Sequence, residues 1–144
     1  MQTLNYSIRI NAPKEEVWGM MLGEEGYRKW TSVFDPGSYF QGSWEEGATI
    51  RFFNGDGEGM VSSVVANRLF EFVSVMHQQL IQHGLEQGQD AESDLFPAFE
   101  EYAFSEIEGV TKVDVSVDSP DENMDEMDKL FPIALRRLKE LCES

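Results

Sequence analysis

One long amphipathic helix closes this chain, and almost everything between residue 38 and that helix is patterned for strands. The helix is expected to start at "SPDE" (residues 119–122) and run to about Cys142. Ser119 is placed to cap, Pro120 suits the first helical position, and Glu122 completes a capping box. Met124, Met127, Phe131, Ala134, Leu135, Leu138 and Leu141 then recur at mostly three- and four-residue spacings, which gathers them on one face. Pro132 lies inside this pattern. Proline removes one helical hydrogen bond and crowds the preceding turn, so a kink or break is expected there. A helix this long with one apolar face has to bury that face, and a curved antiparallel sheet is the natural partner.

The strands supply that sheet. Residues 4–10 alternate, with Tyr6, Ile8 and Ile10 on one parity and Ser7 and Arg9 on the other. From Ser38 onward, Tyr39-Phe40 precede a glycine turn, and Ile50 and Phe52 alternate around Arg51. "NGDGEG" (residues 54–59) is a hairpin turn by composition. Strands are expected at residues 60–66, 69–77, 99–107 and 110–118, with "ANR" as one turn and Glu108-Gly109 as another. Short turns between consecutive strands make an antiparallel meander of about six to seven strands. Residues 79–98 are Gln-rich, carry glycines and end near Pro97, too long for an ordinary connection. They read as a mobile loop, with a lid or a homodimer contact as alternatives.

Between the first strand and the rest stands "NAPKEEVWGMMLGEEGYRKW" (residues 11–30). Pro13 fits the first turn of a helix. Val17, Trp18, Met20, Met21 and Leu22 give that helix an apolar face, and Gly23 stops it. A second short helix from about Glu24 would bury Tyr27 and Trp30. The fold class is therefore α+β: a curved antiparallel sheet wrapped around a long C-terminal helix, with two short helices after the first strand. Residues 1–144 read as one domain.

Charge and cysteine content remove several functions. Twenty-seven acidic residues against 11 basic ones give a formal net charge of −16. Nucleic acid and anionic membrane surfaces both need a basic footprint, so neither is expected as a partner. Cys142 is the one cysteine, which excludes an intrachain disulfide and the zinc-finger spacings. The first eleven residues lack the charged start and apolar run of a secretory leader, so a cytoplasmic protein is expected. Nucleophile-elbow, phosphate-loop and dinucleotide fingerprints are missing. No metal site and no cofactor is expected.

An ordered set of short matches runs along nearly the whole chain. It comprises Ala12-Pro13 with Val17-Trp18, then Trp30, then Gly42, Trp44 and Gly47 leading into Ile50-Arg51-Phe52. Glu101-Tyr102, the turn at residues 109–111, and Ala134-Leu135 with Leu138-Lys139 complete it. On these residues the sequence resembles the START/Bet v 1-like (SRPBCC) helix-grip superfamily. Within it, the likeness is to the group named after the C-terminal domain of the Hsp90 ATPase activator. After His77 the chain departs from that group, with Gln78-Gln79 where a Leu-Gly pair often stands. The resemblance implies a cavity between sheet and long helix. It does not choose among the superfamily's ligand-binding, cyclase and co-chaperone roles.

Candidate residues follow from parity. Ile50, Phe52, Phe72, Ser74, Met76, Tyr102, Phe104, Val113, Val115, Met127, Phe131 and Leu135 are expected to face the space between sheet and helix. They either line a cavity for an apolar ligand or simply fill it. His77, expected at a strand end near the cavity mouth, could orient a ligand or act as an acid or base. Its spacing of six from His83 suits neither one strand face nor one helical turn, and His83 falls in the loop. Glu100 and Glu101 are neighbours in a strand, so one of them must turn inward. Glu101, with His77, is a catalytic candidate, and Arg51 is available as a partner for the inward carboxylate. Neighbouring carboxylates elsewhere, and the acidic start of the last helix, read as solvated faces and macrodipole compensation.

Three functions remain open. The first is a binding domain for a small apolar or amphipathic ligand, lipid- or polyketide-like, oriented by Ser74, His77 or Tyr102. The second is a cyclase- or aromatase-like enzyme in the same cavity, for which His77, Glu101, Arg51 and Tyr102 are the available groups. The third, a chaperone-interaction module, is implied by the family resemblance alone.

Overall fold

In a computed structural model, which describes residues 1–88 and 95–144, strand β1 (Gln2–Ile10) leads into helices α1 (Lys14–Leu22) and α2 (Glu24–Thr31). Strands β2 (Tyr39–Gly42), β3 (Thr49–Phe53), β4 (Gly59–Arg68), β5 (Phe72–Gln82) and the two-residue β6 (Leu85–Glu86) follow. Strands β7 (Ala98–Ile107) and β8 (Val110–Ser119) then lead to helix α3 (Met124–Glu143). The strands form one sheet in the order β1-β8-β7-β5-β4-β3-β2, with β6 beside β5, and each pairing is antiparallel. This is the helix-grip fold: a curved antiparallel sheet around a long last helix, with two short helices after the first strand. No helix among the described residues is long and apolar enough to cross a membrane.

The stripe read on α3 is the one it buries. Phe131, Ala134, Leu135 and Leu138 are sealed, while Pro132, Ile133, Arg136 and Arg137 face water. Full burial of one such leucine side chain stabilises the fold by about 1.5–3 kcal/mol. Of the kink or break expected at Pro132, the break does not occur: α3 is one continuous helix through it. The proline sits on the exposed side, where water can satisfy the carbonyl freed one turn earlier. The capping box at residues 119–122 does not form. Ser119 is instead the last residue of β8, a single 3-10 turn (Asp121–Asn123) intervenes, and Asn123 precedes the helix without a side-chain cap. Ser119 is held by the β1–β8 ladder, opposite Gln2, which leaves its side chain out of capping position.

Two turns also differ from the sequence reading. Strand β4 runs through "ANR" to Arg68, and the chain reverses at Leu69–Glu71, where Phe70 takes a φ of 66°. β5 therefore starts later and ends later than expected. Of residues 79–98, the first four extend β5, and His83-Gly84 turn the chain into β6. Both turn residues have positive φ, at 54° and 78°, which matches the type I′ hairpin geometry favoured by strand twist. Residues 89–94 of that segment lie outside the described residues. Glu108-Gly109 turn as expected, again with positive φ at both positions.

The two short helices meet tightly. A Cβ on Gly26 would fall 1.9 Å from the carbonyl oxygen of Met20, so only glycine lets α2 cross so close to α1. The Trp30 indole N–H then donates to the Met21 carbonyl across 2.8 Å, locking the pair. Helix α3 packs most closely on β1, α2 and α1. Its N-terminal half therefore stands off from the other limb of the sheet, β3, β4 and β7.

Candidate functional site

That stand-off leaves a pocket of about 270 Å³ between α2, β3, β4, β7 and α3. Its walls are aromatic: Tyr27, Trp30, Phe34, Phe52, Tyr102 and Phe131. The rings form a nearly continuous surface. Tyr27 lies 5.8 Å from Trp30 and 5.9 Å from Phe52, and Trp30 lies 6.2 Å from Tyr102, centroid to centroid. Met60 and Met127 add flexible apolar side chains, which suit an irregular guest. A second recess of about 300 Å³ lies beyond them, lined by His77, Leu80, Phe96, Ala98 and Val117 among others. Met60, Glu100 and Met127 border both spaces and form the partition between them.

The partition carries the polar chemistry. Glu100, Tyr102 and Phe104 share one face of β7, the face that looks toward α3. The Tyr102 hydroxyl donates to Glu100 Oε2. Glu100 Oε1 lies 3.2 Å from His77 Nε2, and His77 Nδ1 lies 2.6 Å from Ser62 Oγ. Nε2–H of His77 donates to the carboxylate, and Nδ1 and the Ser62 hydroxyl share the second bond, so every member of the chain has a partner. His77 is 4% exposed and Ser62 is fully buried, so these two support the carboxylate from behind. Ser62 cannot reach a substrate, which removes it as a nucleophile.

The electrostatics follow from that wiring. Burial pushes Glu100 toward the neutral acid, but hydrogen bonding and charge from His77, with a further bond from Tyr102, outweigh it and hold Glu100 below the usual carboxylate range. Burial, then the Glu100 charge, raise Tyr102 well above a free phenol. Burial and Glu100 likewise raise Tyr27, against a smaller opposing bond with Ser38. The floor of the pocket thus presents one ionised carboxylate flanked by neutral phenols. A carboxylate with a lowered pKa accepts hydrogen bonds well and is a weak base.

Several sequence expectations need correction here. Glu101, a catalytic candidate, faces the outer side of the sheet and accepts from Ser74 Oγ at 2.8 Å, and Glu100 takes the inward place. Arg51 pairs with Glu86 at 3.3 Å rather than with the inward carboxylate. Phe72, Ser74 and Met76 lie on the outer face, opposite Ala103, Glu101 and Phe99. The inward residues of β5 are Val73, Val75 and His77, opposite Tyr102, Glu100 and Ala98. Both parities of this strand are apolar, so alternation alone could not assign its faces. His77 sits in mid-strand and is buried, because β5 continues past it. His83 is exposed at the hairpin turn.

Of the remaining expected residues, Phe52, Tyr102, Met127 and Phe131 line the pocket. Ile50, Phe104, Val113, Val115 and Leu135 belong to the close-packed core; the Phe104 ring, for instance, packs tilted against Trp18 with centroids 5.1 Å apart. Sequence reasoning missed Tyr27, Trp30, Phe34, Met60 and Glu100 as pocket residues. The signal for Glu100 was available: it shares the parity of Tyr102 and Phe104, which were already read as inward.

No protein-family model matches the sequence, and no curated protein matches it. Solved structures do match the fold. The chain is similar to the Aha1 dimer protein from Colwellia psychrerythraea, with a TM-score of 0.73 at 20% identity over 99% of this chain and 97% of that one. It is similar to protein MLL2253 from Mesorhizobium loti, with a TM-score of 0.74 at 12% identity over 99% and 97%. It also matches DynU16, a putative protein in the dynemicin biosynthetic locus, with a TM-score of 0.73 at 12% identity. All of this chain is covered there, but it spans only 48% of the length of DynU16. The fold of these proteins is the one that the sequence resemblance implied.

Proposed function

We propose that this protein binds a small apolar or amphipathic molecule in the pocket between α2, the β3–β4–β7 limb of the sheet, and α3. One observation carries the reading. An aromatic pocket of about 270 Å³ keeps a hydrogen-bonded carboxylate, Glu100, at its floor. Burying a carboxylate is costly unless it is paired, and His77 and Ser62 are committed to keeping this one in place. A space that needed only filling would be more stable with an apolar side chain there. The likeness to DynU16 and the Aha1 protein supports the helix-grip fold in which this pocket lies.

The test is native mass spectrometry of the protein purified from its own cells, beside a denatured control, followed by a thermal-shift panel. A co-purifying small molecule released on denaturation is the expected result. A ligand at 100 times its dissociation constant stabilises the native state by about 2.7 kcal/mol. An empty protein that no lipid, aromatic or amine in the panel stabilises would overturn the reading.

A second reading has its own observation. Tyr102 and Glu100 touch the pocket and are wired to His77, a hydrogen-bonded chain of the kind that a cyclase-like reaction uses to move a proton. The lowered pKa of Glu100 argues for binding over proton abstraction. Turnover of a polyketide-like substrate that collapses in Glu100→Gln would reverse that order.

A further inference from the structure

The charges around the pocket are of one sign. Among the described residues, its ionisable carboxyl groups are Glu100 at the floor and Asp35 and Glu58 toward the mouth, and no lysine or arginine lines it. The guanidinium of Arg28 lies in a neighbouring recess, 5.9 Å from the Tyr39 ring centroid. The mouth carboxylates are fixed by the local turns. Asp35 Oδ1 accepts from the backbone N–H groups of Gly37 and Gly55, at 2.8 and 3.1 Å, and Glu58 Oε1 lies 3.8 Å from His83 Nδ1. An anionic head group entering this pocket would meet like charge and, among the described lining residues, no lysine or arginine, while both histidines nearby already face carboxylates. A neutral apolar guest would leave the inward lone pairs of Glu100 without a new donor.

A cation meets the opposite situation. Aromatic faces attract a positive centre through the ring quadrupole, and the attraction grows as water is excluded. Here Tyr27, Trp30, Phe52 and Tyr102 surround the same space that Glu100 enters. Tyr102 donates to Glu100 Oε2 and His77 faces Oε1, which orients the carboxylate while leaving each oxygen a further lone pair. Resting on the small-molecule reading above, we infer that the ligand class of this pocket is an organic cation: an amine or quaternary ammonium on an apolar body. Its charged centre sits between the Glu100 carboxylate and the aromatic wall, and its apolar part lies against Met60, Met127 and Phe131. The net charge of −16 raises the local concentration of such a ligand but cannot by itself select one.

The experiment is isothermal titration calorimetry of the intact protein with three probes of nearly equal shape. They are benzyltrimethylammonium, its uncharged isostere neopentylbenzene, and the anion phenylmethanesulfonate. The inference expects the cation to bind at least about tenfold more tightly than the isostere, with that advantage lost in Glu100→Gln. If the isostere or the anion binds as well as the cation, the charge assignment is overturned and small-molecule binding stands. If a cation preference persists in Glu100→Gln, it belongs to the acidic surface and the inference is again overturned. If none of the three binds at millimolar concentration, both the inference and the proposed function fail. Should Glu100→Gln not fold, the wild-type comparison of cation and isostere decides alone.

Discussion

His77 Nε2 lies 3.2 Å from Glu100 Oε1, joining strands β5 and β7 across the inner face of the sheet. The contact is diagonal in the ladder, since His77 is paired with Ala98 and Glu100 with Val75. The imidazole is also fixed from β4 by Ser62. Three adjacent strands therefore cooperate to hold one carboxylate at the pocket floor.

Replacing His77 with alanine removes the side-chain partner of the buried Ser62 hydroxyl and leaves the Glu100 carboxylate with Tyr102 alone. Leaving a buried donor or acceptor unpaired costs about 1–3 kcal/mol, and more for a charge. His77→Ala is expected to destabilise the fold by roughly 3–5 kcal/mol in urea unfolding. Ser62→Ala should cost less, and the double variant should cost less than the sum of the two. Strict additivity would show that the Ser62–His77 bond is not an energetic unit.

Acid should weaken the fold through Glu100. Its pKa is depressed in the folded state, so the unfolded chain binds a proton more readily. The stabilisation is fully present above the unfolded carboxylate value of about 4.3 and is lost as pH falls through the folded value. Unfolding free energy measured from pH 7 downward should therefore fall more steeply in the wild type than in Glu100→Gln. Parallel curves would show that Glu100 gains nothing from its partners.

Pro132 offers a change in the other direction. It sits on the exposed side of an unbroken helix, and alanine would restore the missing N–H and relieve the crowded turn. Pro132→Ala is expected to stabilise the protein by about 1–3 kcal/mol, seen as a Tm several degrees higher. A lower Tm would mean that the proline shapes α3 in a way the packing requires.

Leu138 tests the grip itself. It is fully buried in the stripe that α3 presents to the core. Leu138→Ala should cost about 2–5 kcal/mol in urea unfolding, while a substitution at exposed Ile133 should stay within about 0.5 kcal/mol. Equal effects at the two positions would contradict the assigned helix face.

These residues also show where the sequence was readable. The α3 stripe was legible because its period is helical and its opposite face is charged. Tyr6, Ile8 and Ile10 were legible because β1 alternates cleanly. Strand β5 was not, since Phe72 and Met76 compete with Val73 and Val75 for the inner face and only the pairing with β7 decides. The capping signal at residues 119–122 was real by composition, yet the β1–β8 ladder claimed Ser119 first. For the site, the aromatic character of the pocket was readable, but its position was not. Tyr27 and Trp30 come from α2, and which limb of the sheet that helix faces depends on its crossing with α1 at Gly26. The Ser62–His77–Glu100 chain needs a register that no local pattern contains.

The central claim is that the pocket admits a guest. The Trp30 indole N–H is its natural reporter, because Trp30 lines the pocket while Trp18 packs elsewhere against Phe70 and Phe104. In a two-dimensional ¹H–¹⁵N spectrum, titration with small apolar and amphipathic compounds should move the Trp30 indole signal saturably and leave Trp18 in place. A Trp30 signal unmoved by every compound, or one that drifts without saturation alongside Trp18, would mean that the pocket is closed to ligands and contradict the account.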